Sequence, residues 1–194
     1  MSLTVLPLLV ACESPVGTFW AGFAGDGSVL INGITRAQDG RASANGILTS
    51  NESATAPLVL VSVELIGSHG LEVVDAFTFD VEAQFPVGAR VPPRPADYAD
   101  EPDHGREALA NWEARVPLDR SVYAPKEVRM LTVVVRATSD EDCRYAKGLR
   151  VDYRQYGRSN LYMESNTAVV LAYDATNGSC EAVSDEIFAH PAVR

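Results

Sequence analysis

Gly67-Ser68-His69-Gly70 sets a hydroxyl beside an imidazole, the residue types that acyl-transfer chemistry uses as nucleophile and base. The spacing does not suit that chemistry. A hydrolase serine of this kind sits at a Gly-x-Ser-x-Gly turn between strand and helix. Neighbouring residues of a short turn point in different directions, and no third partner is identifiable. The tetrapeptide therefore reads as a hairpin turn. His69, His104 and His190 fall in separate loops, without the His-x-His or His-Glu-x-x-His spacing that brings two imidazoles to one zinc ion. Cys143 and Cys180 have no Cys-x-x-Cys neighbour, which excludes a metal knuckle or a thioredoxin-type redox pair. Two acidic clusters remain, one at Asp97, Asp100, Glu101 and Asp103, the other at Asp140-Glu141-Asp142. Loop carboxylates suit calcium, but neither cluster follows Asp-x-Asp-x-Asp-Gly, and solvated loop acids are the alternative. On these grounds no catalytic residue, cofactor or metal ligand is assigned.

The elements that would position such residues read as β-structure. In Arg129–Ala137, Leu131, Val133 and Val135 share one face, as the two-residue side-chain period of a strand requires. Leu149–Gln155 alternates more cleanly, with Leu149, Val151 and Tyr153 inward and Arg150, Asp152 and Arg154 toward water. Gly157–Asn160 reads as a turn, and a third run ends at Tyr173, with Thr167, Val169, Leu171 and Tyr173 on one face. If these runs form an up-down-up meander, the ends of the first and third lie at one edge of a sheet, roughly 10 Å apart across two strand spacings. Cys143 and Cys180 follow those ends, and flexible loops can bring them to disulfide distance. Two unpaired buried thiols are the alternative.

Upstream, short apolar runs at Val16–Phe23, Val29–Ile34 and Gly46–Leu48 read as strands, punctuated by Asp26-Gly27, Asn32-Gly33, Asp39-Gly40 and Asn45-Gly46 as turn dipeptides. Leu58–Ile66 is nearly continuous in Val and Leu, so it is expected to be central and buried on both faces. After the 67–70 turn, Leu71, Val73, Phe77, Phe79 and Val81 are expected to share a face, with a bulge where Asp75 breaks the pattern. From Gln84 to Glu127 the prolines Pro86, Pro92, Pro93, Pro95, Pro102, Pro117 and Pro125 argue against a central strand. This reads as an irregular insertion with one short helix, Asp103–Glu113, carrying Leu109 and Trp112 on one side. Tyr98, Trp112 and Tyr123 are its candidate interaction surface, with core packing the alternative for Trp112. Seven or more short strands with little helix predict an all-β, immunoglobulin-like antiparallel sandwich. Residues 1–194 form one domain, divided into N-terminal strands and hairpins (1–50), the proline-rich insertion (84–127) and a C-terminal meander (129–180).

Composition bounds the partners. The 194 residues carry 16 Lys and Arg against 26 Asp and Glu, a net charge of −10, with no basic stripe interleaved with aromatics. Such a surface repels polyanions, so nucleic acid is not an expected partner, and neither is an anionic membrane surface. No stretch approaches the roughly 20 apolar residues of a membrane span. Leu9-Val10-Ala11-Cys12 has the form of a lipobox, yet the segment before it lacks the Lys or Arg and the full apolar run of a signal peptide. The other reading is a buried strand, Thr4–Ala11, ending in a free Cys12. A native signal or anchor is expected to lie outside this sequence. Asn51-Glu52-Ser53 and Asn177-Gly178-Ser179 read as ordinary loop sequence unless the host glycosylates them.

Asn51 followed by Ala56–Leu65 and Gly70–Ala76 resembles the opening strands of envelope proteins of unassigned function from high-GC Gram-positive bacteria. Cys143-Arg144, Ala146–Arg154 and Cys180 resemble their C-terminal strands. The resemblance implies a secreted or membrane-anchored immunoglobulin-like domain. The leading expectation is thus a non-enzymatic, extracytoplasmic module that binds an unknown protein or cell-envelope component. The alternatives are a small-molecule or metal carrier with its site under the 84–127 insertion, or a hydrolase with a dispersed site. A deep polar pocket bordered by two or more of His69, His104 and Glu107 would favour either alternative.

Overall fold

The computed structural model describes residues 19–22, 29–33, 41–81, 93, 99–100, 102–172 and 180–189. Among these residues twelve strands and two α-helices follow in chain order: β1 (Phe19–Gly22), β2 (Val29–Gly33), β3 (Arg41–Asn51), β4 (Leu58–Ile66), β5 (Leu71–Asp80), α1 (Pro102–Ala114), β6 (Val116–Pro117), β7 (Val122–Tyr123), β8 (Val128–Ala137), β9 (Cys143–Ala146), β10 (Gly148–Gln155), β11 (Arg158–Ser165), β12 (Ala168–Ala172) and α2 (Glu181–Ala189). A five-stranded sheet runs β1-β3-β8-β5-β6 and a four-stranded sheet runs β11-β10-β4-β7. A smaller sheet, β2-β12-β9, contains the parallel β2/β12 pair. Inward residues of the two larger sheets, such as Ile47, Leu131 and Val133 against Leu60, Leu149 and Val151, belong to one buried cluster, which Val169 and Leu171 extend into the third. Two antiparallel sheets packed face to face, with neighbours that are not consecutive in the chain, make an immunoglobulin-like sandwich. The expected fold class holds.

Burial sorts the strands differently from the sequence reading. Leu131–Val135 is buried at every position, and so is all of β12. A strand needs cover on both faces to look like that, and here helices supply the second layer. Trp112 of α1 packs with Phe77, Phe79 and Val134 on the outer face of the five-stranded sheet. Ile187 and Val183 of α2 pack on Ala168, Val170 and Ala172. The expectation that Leu58–Ile66 is buried on both faces is not met: Leu58, Leu60 and Val63 face the core, while Val61 is 46% exposed. Among the described residues no helix covers the outer face of that sheet.

Bulges account for two further differences. Between Val73 and Asp75 one extra residue is inserted against Val135 and Val134. A one-residue slip sends later side chains to the other face. Leu71, Val73 and Ala76 therefore face the main core, whereas Phe77 and Phe79 turn outward to Trp112. The bulge was legible at Asp75, but the expected common face for Leu71, Val73, Phe77 and Phe79 was not. In β3 the register shifts between Ala44 and Ile47, so Asn45-Gly46 is a mid-strand bulge rather than a hairpin turn.

The predicted C-terminal meander is not a single sheet. Val128–Ala137 belongs to the five-stranded sheet, β10 and β11 to the four-stranded one, and β12 to the third. Alternation identifies a strand but not its neighbours, and the chain crosses between layers here. The disulfide nevertheless forms between Cys143 and Cys180, with Cα atoms 5.4 Å apart. Its geometry comes from β9, which pairs with β12 and sets Cys143 opposite Ala172. The insertion carries the expected helix at Pro102–Ala114, but its last part is integral structure. Val116-Pro117 pairs with β5 and Val122-Tyr123 pairs with β4, so the chain passes from one sheet to the other within a few residues. Both are edge strands, where a proline is tolerated. Cys12, Asp97, Tyr98, Asn177 and His190 lie outside the described residues.

Candidate functional site

The tip of the β10/β11 hairpin and the chain entering β4 enclose an open groove of about 690 Å³, lined by Pro57, Val59, Arg154, Tyr156, Gly157 and Arg158 among others. The hairpin turns at Tyr156-Gly157, with φ of 53° and 69°. Positive φ at both central residues is the type I′ arrangement that suits the twist of a two-residue hairpin. Glycine adopts it freely, but for tyrosine the left-handed region costs about 1–3 kcal/mol. The sequence reading placed this turn at Gly157–Asn160, one residue too late, and left Arg154 as a solvated charge. The signal it passed over is a Tyr-Gly pair joining two alternating runs.

Beneath the groove a buried amide network fixes the two segments to each other. Asn51, fully buried, donates from Nδ2 to the carbonyls of Ala56 (2.8 Å) and Ala124 (3.0 Å). Its Oδ1 accepts from the Ser53 N–H (3.1 Å) and from Gln155 Nε2 (3.0 Å). Asn51 is thus a keystone of the fold rather than ordinary loop sequence, and its amide is not accessible to a glycan. Ser53 Oγ accepts from the backbone N–H groups of Ala56 (2.9 Å) and Thr55 (3.2 Å). With both lone pairs engaged, the Ser53 hydroxyl donates to Tyr156 Oη at 2.8 Å. The phenol proton of Tyr156, a residue 47% exposed, is then directed outward. Arg154 and Arg158 are exposed, and neither forms an ion pair with another described residue. The groove therefore offers hydrogen-bond donors around an apolar floor.

The residues singled out from the sequence lie elsewhere. Ser68 Oγ donates to the carbonyl of Leu71 at 2.6 Å, which directs its proton away from the neighbouring imidazole. Gly67 and Gly70 take φ of 58° and 67°, and the expected turn is there. At Gly70 a Cβ would lie 2.6 Å from Ser139 Oγ. His69 pairs with Tyr145 through two backbone hydrogen bonds, stacks on its ring at 5.4 Å and meets Glu141 at 2.5 Å. All of this braces the loop beside the disulfide. His104 and Glu107 lie on α1, Glu107 being exposed. Neither Glu107 nor His69 lines the groove. Among the described residues no three His, Cys, Asp or Glu side chains gather as a metal site. Asp140, Glu141 and Asp142 are exposed, as are Asp100 and Asp103, and Asp103 pairs with Arg106.

Of the candidate interaction surface, Trp112 takes the core-packing alternative. Its ring meets Phe77 edge-on at 5.2 Å, and the Arg115 guanidinium covers it at 3.8 Å. Tyr123 corrects the sequence reading: it is fully buried, because Val122-Tyr123 pairs with β4 and the ring enters the core against Phe19. Its hydroxyl lies 2.7 Å from Thr49 Oγ1. Thr49 spends its own proton on the carbonyl of Arg129 (2.9 Å), so Tyr123 is the donor. Burial pushes the Tyr123 phenol up to about 12, partly offset by the Arg129 charge nearby.

An alkaline transition follows. A phenol that ionises near pH 10 when unfolded and about 12 when folded opposes folding as pH rises through that window. Its stabilisation is fully present below pH ~10 and is lost by pH ~12, a fall of about 2–3 kcal/mol at 1.36 kcal/mol per pKa unit. Urea titrations of the wild type and of Tyr123→Phe across this range check it. A variant whose stability falls as steeply as the wild type would assign the alkaline loss to other groups.

No family model and no curated protein matches the chain. Among solved structures it is similar to the Vibrio cholerae VesB protease, with a TM-score of 0.36 and 9% identity over 80% of this chain; the chain spans 32% of that protein's length. It is also similar to the ASH/PapD-like domain 7 of human CEP192, with a TM-score of 0.37 and 6% identity over 90% of this chain and 96% of that one. Likeness at this level transfers no activity, substrate or partner, and the description of the fold rests on the strand pairing itself.

Proposed function

We propose that the chain is a non-enzymatic binding module, working outside the cytoplasm, whose ligand lies in the groove at the β10/β11 hairpin. One observation carries this reading: Arg154 and Arg158, without an ion-pair partner among the described residues, and the outward phenol proton of Tyr156 stand around an apolar floor tied together by a buried amide network. Donors carried on a well-braced backbone suit recognition, because the backbone that bears them loses little freedom when a ligand docks. The Cys143–Cys180 bond supports an oxidising compartment, where disulfides persist. The resemblance to secreted or anchored envelope proteins points the same way and makes an envelope component or a protein at the cell surface the expected partner.

Selection from a random decapeptide library tests the reading without prejudging the ligand. Enriched peptides should bind the wild type at least ten times more tightly than a variant carrying Arg154→Ala and Arg158→Ala with an unchanged Tm. Failure to enrich any sequence, or equal binding by the variant, overturns the groove as the ligand surface.

A further inference from the structure

We infer that the ligand of this groove is an acidic, extended segment of a protein partner in which carboxylates alternate with aliphatic side chains. The inference rests on the binding-module reading and adds the chemistry of the ligand. Charge is the first argument. On a chain of net charge −10, cations are scarce, and Lys126, Arg129, Arg136, Lys147 and Arg150 each have a carboxylate partner. Arg41, Arg115, Arg120, Arg154 and Arg158 have none among the described residues, and of these Arg154 and Arg158 flank one turn. Guanidinium groups only donate, and they match a carboxylate with two parallel hydrogen bonds. The outward proton of Tyr156 adds a third donor.

The floor supplies the second argument. Arg154 pairs directly with Val59 across β10/β4, and Val59 pairs with Val122 across β4/β7. Directly paired residues share a face, so an arginine–valine–valine row crosses the outer surface of the four-stranded sheet. Val122 is 49% exposed. The outer faces of the other two sheets hold helices against their apolar residues, whereas this row has no described cover. A bare anion would satisfy the arginines and leave the valines wet. A peptide strand, whose side chains alternate every ~3.3 Å, can set a carboxylate on Arg154 and aliphatic groups on the row, and it meets Arg158 only at the hairpin tip, because Arg158 pairs with Gln155 and leaves the sheet on the other face. Nucleic acid fits poorly, because its backbone brings no aliphatic side chains to cover the valine row.

Amide chemical shifts of the ¹⁵N-labelled full chain test this with defined probes: a blocked Glu-Val alternating decapeptide, its Gln-Val counterpart and inorganic phosphate. The Glu-Val probe is expected to shift amides at 56–59 and 154–159. Its affinity should weaken at least tenfold in Arg154→Gln and in Arg158→Gln, with Arg→Lys variants in between, and at least threefold from 50 to 300 mM NaCl. Equal binding of Gln-Val at the same amides overturns the acidic assignment and leaves the groove as a binding surface. Phosphate matching the peptide's affinity there overturns the peptide in favour of a simple anion. Glu-Val shifts that survive in the double Gln variant, or fall elsewhere, overturn the inference. If no probe and no library peptide reaches the groove, the binding-module reading falls with it.

Discussion

Asn51→Leu is expected to destabilise the protein by about 3–5 kcal/mol, because one substitution strands several buried polar groups at once. The carbonyls of Ala56 and Ala124 lose their Nδ2 donor, and the Ser53 N–H and Gln155 Nε2 lose their acceptor. Gln155 is itself only 2% exposed, so water reaches its amide poorly. Each stranded group costs roughly 1–3 kcal/mol, and relaxation keeps the total below their sum. Asn51→Asp should be no milder, since an oxygen would replace the nitrogen that faces two carbonyls. Urea unfolding gives the free energies, and the groove supplies a second readout: in the variant, amides of 154–159 should exchange faster than those of β8. A loss below about 1 kcal/mol would mean that water or backbone movement replaces this network, and the groove would then lack the rigid base ascribed to it.

The same residue shows where sequence reasoning stops. Asn51 reads as a sequon in a loop because its partners lie at positions 56, 124 and 155, separations that no local pattern reports. Alternation was enough to find the longer strands but not β6, β7 and β9, and it ran β11 and β12 together, while the prolines with Leu109 and Trp112 were enough to place α1. Asp75, a charge in an apolar run, marked a bulge that exists. What alternation cannot say is which strand lies beside which, or which sheet face is covered by a third layer. That is why Leu58–Ile66 looked doubly buried while β8 and β12 are. Arg144 is the extreme case. It is fully buried in a four-residue strand, its guanidinium donating to the carbonyls of Ser139 and Glu141, and an arginine between a cysteine and a tyrosine gives no hint of this. Tyr123 erred in the opposite direction, since an aromatic among prolines looks exposed until a two-residue pairing draws it inward. The groove was missed for the reason Asn51 was: Tyr156 and Ser53, the two sides of its hydroxyl contact, are 103 residues apart.

Removing the Cys143–Cys180 bond is expected to lower stability by roughly 3–4 kcal/mol on the chain-entropy model, since the bond closes a loop with a sequence separation of 37. That is a large share of the 5–15 kcal/mol typical of a domain, and native-state structure tells where the loss should appear first. Cys180 immediately precedes α2, whose grip on the third sheet consists of Ile187 and Val183 against Ala168, Val170, Ala172 and Tyr145. Burial of one such side chain contributes about 1.5–3 kcal/mol, too little to hold a nine-residue helix securely once its covalent tie is cut. In Cys143→Ala/Cys180→Ala, amides of α2 and β12 should therefore lose exchange protection well before those of β8, which lies between β3 and β5 beneath α1. Equal loss of protection in α2 and β8 would assign the whole effect to the unfolded chain. Peptide mapping of the oxidised wild type under non-reducing conditions supplies the premise, and a crosslink that includes Cys12, or three free thiols, would sink both the pairing and the disulfide's support for export.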